Sequence, residues 1–327
     1  MGDAAGIGPE VLVKCLASVL PVAGIRPLVI GELDILRNTA ASLNLPIRFA
    51  DESVATPGEL SVRSLGLLKY GSFEVGKLSA ACGDAAYRYF HHAVEECMAG
   101  RAHAIVTAPL NKEAMNRGGH AFVGHTDILE QMTGVEGPVM ALWHPQIVVG
   151  HVTDHLPLRQ ALDAITGPRV AHVVHLTRDA LVKTGVAAPR IALAGINPHA
   201  GENGLFCREE IEILKAAMER LKAEGIDVSG PHPGDTVFSQ ALRGRFDAVI
   251  AMYHDQGFGP MKTLDFANGV NCTLGLPFVR TSPDHGTAFE IAGQGIAEPD
   301  SMIAAWNLAV RLLGLGVHAG ENPPNTW

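Results

Sequence analysis

The sequence has few cysteines for its length, and no two of them are close together. The five cysteines among 327 residues are an odd number without a close pair, so neither a disulfide framework nor a thiolate metal site is indicated. No apolar run reaches the length of a transmembrane span, and the amino terminus has no basic region followed by an apolar stretch. These absences predict a protein of the reducing cytoplasm.

Basic residues are also scarce. Lysine and arginine total 25 against 34 acidic residues, the formal net charge is -9, and the cations are scattered along the chain. Nucleic-acid binders usually carry a clustered basic surface, so nucleic acid is an improbable partner on charge alone. An anionic substrate would have to be bound by a few local cations.

Short runs rich in valine, isoleucine and alanine alternate with segments of helical period, which is typical of a largely parallel sheet covered by helices. The predicted strands are Pro27–Ile30, Ala104–Thr107, Val139–Trp143, Ile147–Thr153, Arg190–Ile196, Ala248–Tyr253 and Asn271–Leu274. A charged amphipathic helix is predicted over Arg208–Ala223. No repeat or low-complexity linker interrupts the chain. We predict a first α/β lobe from 1–125 with 300–327, and a second lobe from 126–299 that contains the metal and substrate residues.

A glycine-rich turn opens the chain at Gly2–Glu10 and enters a helix. It is neither a Walker loop nor a correctly spaced G-x-G-x-x-G, so a Rossmann dinucleotide site is not supported. Two interpretations stay open: the turn brings backbone N–H groups close to a ligand, or it is tight for packing. Such a turn normally follows a strand, and we expect a first strand before it.

Three of the fifteen histidines share a position that chance would rarely produce. His155, His199 and His254 each lie just past the carboxyl end of a predicted apolar strand. Open α/β sheets bind their ligands at these strand ends. Neutral imidazoles are good ligands for zinc and similar divalent ions, and three protein ligands leave coordination positions for a substrate. The alternative is three unrelated loop histidines.

Cations and glycines follow closely in the carboxyl-terminal third. A lysine and an arginine that converge on one cleft would hold a phosphate and a carboxylate, and Lys262 and Arg280 are the candidates, with Asn271 between them. Taken singly, each cation is also an ordinary surface residue. The segment 284–299 is too rich in glycine and alanine for a regular helix, and it predicts a loop that closely approaches a planar or phosphorylated group.

Two residues near predicted helix starts each have two interpretations. Thr126 in Gly124-His-Thr-Asp is either the N-cap of the following helix or a ligand contact at the positive helix end. Asp235 is either a cap for the next short helix or a carboxylate near the metal.

Seven long motifs follow one another along nearly the whole chain: GDAAGIGPE, TAPLNKEA, GHTDILEQMTG, INPHAGENGLF, MYHDQGFGPMK, GVNCTLGLPFVRTSPDHGTA and IAGQGIA. With them the chain resembles the 4-hydroxythreonine-4-phosphate dehydrogenases, enzymes of the pyridoxine pathway. The resemblance implies a homodimer with the two-domain α/β/α fold of isocitrate and isopropylmalate dehydrogenases. It also implies NAD and one divalent metal ion, Zn, Mg, Mn or Co, as cofactors.

The resemblance assigns roles to residues by motif. The implied metal ligands, at a site shared across the dimer interface, are His155, His199 and His254. The implied substrate contacts are His125, Thr126, Lys262, Asn271 and Arg280. The implied cofactor loop includes His285, Gly286, Thr287 and Ala288. Lys262 and Asp235 are the candidate catalytic residues, with Lys262 handling a proton or stabilising charge.

The implied reaction is an NAD-dependent oxidation, with loss of carbon dioxide, of a 4-phosphorylated 3-hydroxy acid. The first candidate substrate is 4-hydroxythreonine 4-phosphate. The stretches TAPLNKEA, KLSAACGDAAY and HAGENGLF depart from the biosynthetic type and resemble a second branch, which acts on 4-phospho-D-threonate or 4-phospho-D-erythronate. Two rival classes are a metal-dependent phosphate-ester hydrolase, which has no use for the IAGQGIA loop, and a catalytically silent binding protein.

Overall fold

The chain forms two compact units. The structure, a computed structural model, describes residues 1–122, 124–264 and 268–315. One unit comprises Met1–Glu136 with the described part of Leu276–Gly316, and the other comprises Gly137–Gly275. None of the helices in these described ranges is both long and apolar enough to cross a membrane.

The first unit contains two sets of parallel strands and their covering helices. Its strands are β1 (Leu28–Gly31), β2 (Phe49–Asp51), β3 (Leu60–Ser64), β4 (Ala104–Val106) and β11 (Val279–Pro283). Its helices are α1 (Gly8–Val19), α2 (Leu33–Ser42), α3 (Ala80–Met98), α4 (Lys112–Arg117), α5 (His125–Thr133) and α11 (Asp300–Leu312). The strand order is β1-β3-β2 in one set, and β4 pairs with β11 in the other.

The second unit contains a sheet with the strand order β10-β5-β6-β9-β7-β8. Its strands are β5 (Val139–His144), β6 (Ile147–His151), β7 (Ile191–Ala194), β8 (Val228–His232), β9 (Ala248–Ala251) and β10 (Val270–Leu274). Its helices are α6 (Leu158–Ala164), α7 (Gly167–Lys183), α8 (Ala216–Ala223), α9 (Gly234–Leu242) and α10 (His254–Leu264). β6, β9, β7 and β8 are mutually parallel, whereas β5 runs antiparallel to both neighbours. The predicted α/β class with a largely parallel sheet is confirmed.

The unit boundaries differ from the predicted lobes. The segments 126–136 and 276–299, which the sequence placed in the second lobe, belong to the first unit. The physical reasons are that α5 packs on α3, and that β11 pairs with β4. The predicted substrate residues on α5 and β11 therefore belong to the first unit, whereas the three histidines belong to the second.

Four strands were absent from the sequence prediction, namely β2, β3, β8 and β11. They are short, and their sequences are FAD, LSVRS, VSGPH and VRTSP, in which too few apolar residues occur for a strand pattern. The strands that were predicted include β5, β6, β7 and β9, in which every residue is buried. Strands covered on both faces form continuous apolar runs, which a sequence displays plainly.

A cavity of about 800 Å³ lies in the first unit beside β1 and β4. Its lining is largely apolar and includes Leu12, Val29, Ile105 and Trp306. The amino group of Met1 donates a hydrogen bond to the backbone oxygen of Ile30 in β1 at 2.9 Å.

The opening glycine-rich turn packs directly against the predicted cofactor loop. The Ile7 N–H donates to the backbone oxygen of Thr287 at 3.0 Å. A Cβ added to Gly6 would lie 2.7 Å from the Thr287 Cβ, closer than two carbon atoms can approach without displacement. This contact supports the packing interpretation of the turn.

The predicted loop runs between β11 and α11 over residues 284–299. Helix α1 forms hydrogen bonds with its carboxyl-terminal end. The Lys14 ammonium donates to the backbone oxygens of Gly295 and Ala297 at 2.9 and 2.7 Å. The Glu10 carboxylate accepts from Lys14 at 2.8 Å and from the Ala297 N–H at 2.8 Å. The loop is therefore held at both ends by the first helix and the turn before it.

We predict that Gly6→Ala destabilises the protein by about 1–3 kcal/mol, because the new methyl group forces Thr287 and its loop to move. Urea unfolding of the variant beside the wild type measures the difference. Gly167→Ala is the matched control, since a Cβ there meets only the Ile213 oxygen at 3.9 Å. Equal destabilisation by both substitutions would contradict the contact.

Candidate functional site

The three predicted metal ligands follow three adjacent parallel strands. β9 lies between β6 and β7, and Ile250 is aligned with Gly150 on one side and with Leu193 on the other. The carboxyl ends of these strands therefore lie level at one edge of the sheet. His155, His254 and His199 lie three to five residues beyond the ends of these strands, which is the arrangement that the sequence predicted.

Side-chain hydrogen bonds tie these strand ends together. The buried Thr153 hydroxyl donates to the Met252 oxygen at 2.9 Å, which joins the segments after β6 and β9. The Gln256 amide donates to the Gly195 oxygen at 2.7 Å and accepts from the Met252 N–H at 2.7 Å, which joins the segments after β9 and β7. Sequence reasoning missed Gln256, although its place two residues after His254 was an available signal.

The rings of His155 and His254 lie close together after β6 and β9. Their ring centroids are 5.4 Å apart, with an angle of 44° between the ring planes. Two imidazoles bound to one tetrahedral zinc at ~2.0–2.1 Å would place their centroids about 5 Å apart. The Asp255 carboxylate lies 2.7 Å from His254 Nδ1, and a pairing of this kind directs the other ring nitrogen, Nε2, to a metal.

His199 lies in an unusual backbone segment, Pro198–Gly204. The five residues 199–203 all have positive φ, between 45° and 73°, and four of them are not glycine. Left-handed conformation costs roughly 1–2 kcal/mol for each non-glycine residue, so the surrounding structure must enforce it. Among the described residues, the ligand nitrogens of His155, His199 and His254 do not all lie within 4.8 Å of one another. The centroid spacing of His155 and His254 is close to that of two imidazoles on one ion, and a site formed by all three histidines stays a prediction.

Another cluster near His199 contains metal-ligating residue types. Ligand atoms of Cys207, Glu209 and Glu210 all lie within 4.8 Å of one another. The Cys207 thiol donates to Glu210 at 2.9 Å, and this hydrogen bond, with burial second, raises the pKa of the thiol to about 12. A protonated thiol is a poor ligand, because metals bind the thiolate.

The buried Glu210 carboxylate organises this loop. Burial acts to raise the pKa of Glu210, but hydrogen bonds from the Cys207 thiol and the Asn197 N–H outweigh it and hold the pKa below its ordinary value. Sequence reasoning missed Glu210 because it lies within the predicted helix Arg208–Ala223. That helix instead begins with a π-helical turn, Glu210–Lys215, before α8.

His151 ends β6 beneath the histidine pair and was not predicted. It is 1% exposed, and its Nδ1 lies 3.2 Å from the Met140 oxygen. Burial lowers the pKa of His151 to about 4, so the ring is neutral. A Cβ on Gly257 would lie 2.2 Å from His151 Nε2, which explains the glycine after Gln256 in MYHDQGFG.

The remaining predicted residues of the second unit lie on three different elements. Lys262 lies in α10, and its Nζ is 5.9 Å from the ring centroid of Phe258, which in turn stacks on His254 at 4.0 Å. Asn271 is in β10. Asp235 is exposed in the first turn of α9, whose N-cap is Pro233, so its predicted role as a cap is wrong.

A compact cationic group lies in the first unit. Arg280 is only 3% exposed and donates from Nη2 to the Thr107 hydroxyl at 2.9 Å. Lys112 Nζ lies beside Gly124, the N-cap of α5, where an added Cβ would be 3.8 Å away. His125 is the first residue of α5, and its ring meets Phe90 edge-on at 4.6 Å. Thr107 and Lys112 were missed, although both occur in the motif TAPLNKEA.

The surroundings of His125 keep its ring neutral. Burial is the larger cause, and the positive charges of Arg280 and Lys112 add to it, so the pKa of His125 lies well below 6.5. Two cations and a helix amino terminus that share one locality create a positive potential. This group can bind an anion such as a phosphate or a carboxylate.

Thr126 does not cap α5. Gly124 is the N-cap residue, and Thr126 lies within the first helical turn. Of its two predicted roles, the cap is therefore wrong. A contact between Thr126 and a ligand at the positive helix end stays a prediction.

The predicted cofactor loop has features that suit a bound ligand. His285 Nε2 is buried and has no hydrogen-bond partner among the described residues, so a ligand group could satisfy it. Ala288 has φ of 40°, a conformation rare for alanine. Gly286 has open space around its Cα, whereas Thr287 is buried.

The chain thus has an α/β fold with a group of cations around His125 in one unit and three histidines after adjacent strands in the other. The chain belongs to the family described as pyridoxal phosphate biosynthetic protein PdxA, whose profile matches residues 23–309. The family predicted from the sequence motifs is thus confirmed.

Individual relatives agree with this assignment. The chain is 45% identical over 318 residues to the D-threonate 4-phosphate dehydrogenase of Pectobacterium atrosepticum, covering 95% of this chain and 97% of that protein. A crystal structure named 4-hydroxythreonine-4-phosphate dehydrogenase from Klebsiella pneumoniae is 43% identical with a TM-score of 0.82, covering 95% of this chain and 96% of that one. A β-decarboxylating dehydrogenase from Thermococcus kodakarensis shares the fold at 12% identity, with a TM-score of 0.50 and coverage of 89% and 84%. Family membership supports an oxidoreductase.

We predict that the His125 ring does not titrate near pH 6.5. Because its folded-state pKa is lowered, the unfolded chain takes up a proton that the folded chain refuses, and His125 makes stability fall as the pH drops below 6.5. Histidine NMR signals followed from pH 5 to 8, with His125→Gln to assign the resonance, measure this. A His125 midpoint at or above 6.5 would contradict the described surroundings.

Proposed function

We propose that the protein is an NAD-dependent, divalent-metal-assisted dehydrogenase that oxidises the secondary hydroxyl of a 4-phosphorylated hydroxy acid, with loss of carbon dioxide from the product. The observation that supports this most strongly is the position of the three histidines. His155 and His254 are spaced as ligands of one ion, and His199 follows the strand adjacent to theirs.

The proposed ligands for the ion, zinc, magnesium, manganese or cobalt, are His155, His199 and His254. When bound, a divalent cation acidifies a substrate hydroxyl and NAD accepts a hydride. The protein itself orients the imidazoles: Asp255 fixes His254 through Nδ1, and the hydrogen bonds of Thr153 and Gln256 keep the strand ends aligned.

The cationic group of the first unit is the proposed site for an anionic part of the substrate. Arg280 presents a planar guanidinium that is oriented by Thr107, and Lys112 adds a point charge at the start of α5. The neutral ring of His125 offers a hydrogen bond without adding charge. Thr126 and Asn271 are proposed as further substrate contacts.

Lys262 and Asp235 are the proposed catalytic residues. Lys262 lies on the same side of α10 as His254, since both contact Phe258. It would stabilise negative charge or transfer a proton during decarboxylation. The exposed Asp235 follows Gly234, which lies close to the Gln256 side chain. Gln256 comes two residues after His254, so Asp235 lies near the histidine segments. The proposed NAD contacts are His285, Gly286, Thr287 and Ala288.

The names of the relatives bear on the choice of substrate. Three relatives at 45–48% identity are named D-threonate 4-phosphate dehydrogenase, and one at 42% is named 4-hydroxythreonine-4-phosphate dehydrogenase. We therefore propose D-threonate 4-phosphate as the first substrate to test. 4-Hydroxythreonine 4-phosphate, which the sequence motifs favoured, and D-erythronate 4-phosphate are the alternatives.

A homodimer is part of the proposal. Large apolar side chains next to two of the proposed ligands are exposed: Leu156, beside His155, at 45%, and Phe206, in the segment after His199, at 59%. Exposed apolar groups that border a candidate site are typical of protein interfaces. A second copy of the chain would cover them and complete the metal site.

We predict NADH formation from one of the three 4-phosphorylated acids when divalent metal is present, and its loss in His199→Ala. Absorbance of NADH under initial-rate conditions is the measurement, with and without a chelator. His175→Ala is the control, because His175 lies on α7 with its Nε2 3.0 Å from the carboxylate of Glu224, which precedes the amino end of the parallel strand β8.

Two outcomes would count against the proposed activity. Full turnover by His199→Ala under strict chelation would contradict the metal assignment. Release of inorganic phosphate without NADH formation would favour the phosphate-ester hydrolase instead.

A further inference from the structure

A single buried carboxylate, that of Glu210, bonds to both flanks of the left-handed segment around His199 and approaches its middle. Glu210 is 1% exposed, and its Oε1 accepts from the Asn197 N–H at 2.7 Å and from the Asn197 side-chain amide at 3.2 Å, before the segment. Its Oε2 accepts from the Cys207 thiol at 2.9 Å, after the segment. Within the segment, a Cβ on Gly201 would lie 2.6 Å from Oε2.

These contacts explain how four non-glycine residues, with Gly201 in the middle, keep left-handed backbone conformations. A strained backbone is retained only where neighbouring groups determine its course on several sides. Glu210 bonds to the residues on both flanks, and its close approach to Gly201 leaves the turn little freedom. The π-helical turn that begins at Glu210 is a further irregularity of the kind found beside functional sites.

We propose that Glu210 is a positioning residue that sets the backbone of the His199 turn and thereby the metal affinity of the three-histidine site. The inference rests on the proposed function for the identity of the metal ligands. In this proposal Glu210 acts on His199 through its hydrogen bonds to Asn197 and Cys207 and not as a ligand of the ion.

The test compares Zn²⁺ binding by wild type, Glu210→Ala and Glu210→Gln, measured by calorimetric titration of the metal-free protein. Loss of a residue that orients a ligand typically weakens metal binding by roughly 10–100-fold, and we expect that range for Glu210→Ala. Glu210→Gln keeps one acceptor oxygen for Asn197 and should weaken binding less. It also serves as the informative variant if Glu210→Ala does not fold.

The matched control is Glu209→Gln, and Cys207→Ser removes the sulfur while keeping a hydroxyl donor for Glu210. Glu209 is exposed and belongs to the same cluster, yet it makes none of the contacts that Glu210 makes with Asn197. We expect Glu209→Gln to bind Zn²⁺ as the wild type does. If Glu209→Gln and Cys207→Ser both weaken binding as much as Glu210→Ala, the cluster binds metal directly and the positioning role is overturned.

Hydrogen exchange of the metal-free proteins gives a readout that does not depend on the metal. The Asn197 amide, which donates to Glu210, should exchange faster in Glu210→Ala, whereas amides of β7 should be unchanged. Unaltered Zn²⁺ affinity and exchange in both Glu210 variants would overturn the proposal. If instead His199→Ala binds Zn²⁺ like the wild type, the metal assignment fails, and the exchange rates alone decide whether Glu210 positions the turn.

Discussion

The alignment of β6, β9 and β7 is the constraint on which the rest of the candidate site depends. Backbone hydrogen bonds fix these parallel strands in register, so residues more than forty positions apart in sequence emerge together at one edge of the sheet. Every residue of the three strands is buried, and shifting the register would expose that surface. Thr153, with one hydrogen bond, and Gln256, with two, extend this order into the segments that follow the strands.

The two units contain chemically different groups of side chains. The second unit brings three histidines to adjacent strand ends, and burial lowers the pKa of His151, at the end of β6, to about 4. The first unit buries Arg280, brings Lys112 to the start of α5, and so concentrates positive charge on a protein whose net charge is -9. An acidic protein can thus bind an anionic substrate through one local group of cations, as the composition suggested.

The sequence predicted those parts of the molecule that rest on regular periodicity. The buried strands β5, β6, β7 and β9 were visible as apolar runs, and the three histidines were found because each follows such a run. The short strand β11 was missed, since VRTSP contains little apolar surface, and Arg280 was therefore assigned to the wrong unit.

Residues that act through long-range contacts could not be predicted. Glu210 appeared as one acidic residue among several in an amphipathic helix, and only the fold shows its bonds to Asn197. Lys112 and Thr107 lie in a motif that marks the family, but their place beside His125 and Arg280 depends on the packing of α4, α5 and β11. The capping roles of Thr126 and Asp235 were wrong because Gly124 and Pro233 occupy the positions before the helices.

X-ray absorption at the zinc edge tests most directly whether the strand ends assemble a three-imidazole site. The protein, loaded with one equivalent of Zn²⁺, should show the scattering of three imidazole rings and no sulfur. Scattering from sulfur at about 2.3 Å would place the ion at Cys207, and fewer than two imidazoles would contradict the alignment of His155 and His254 as partners.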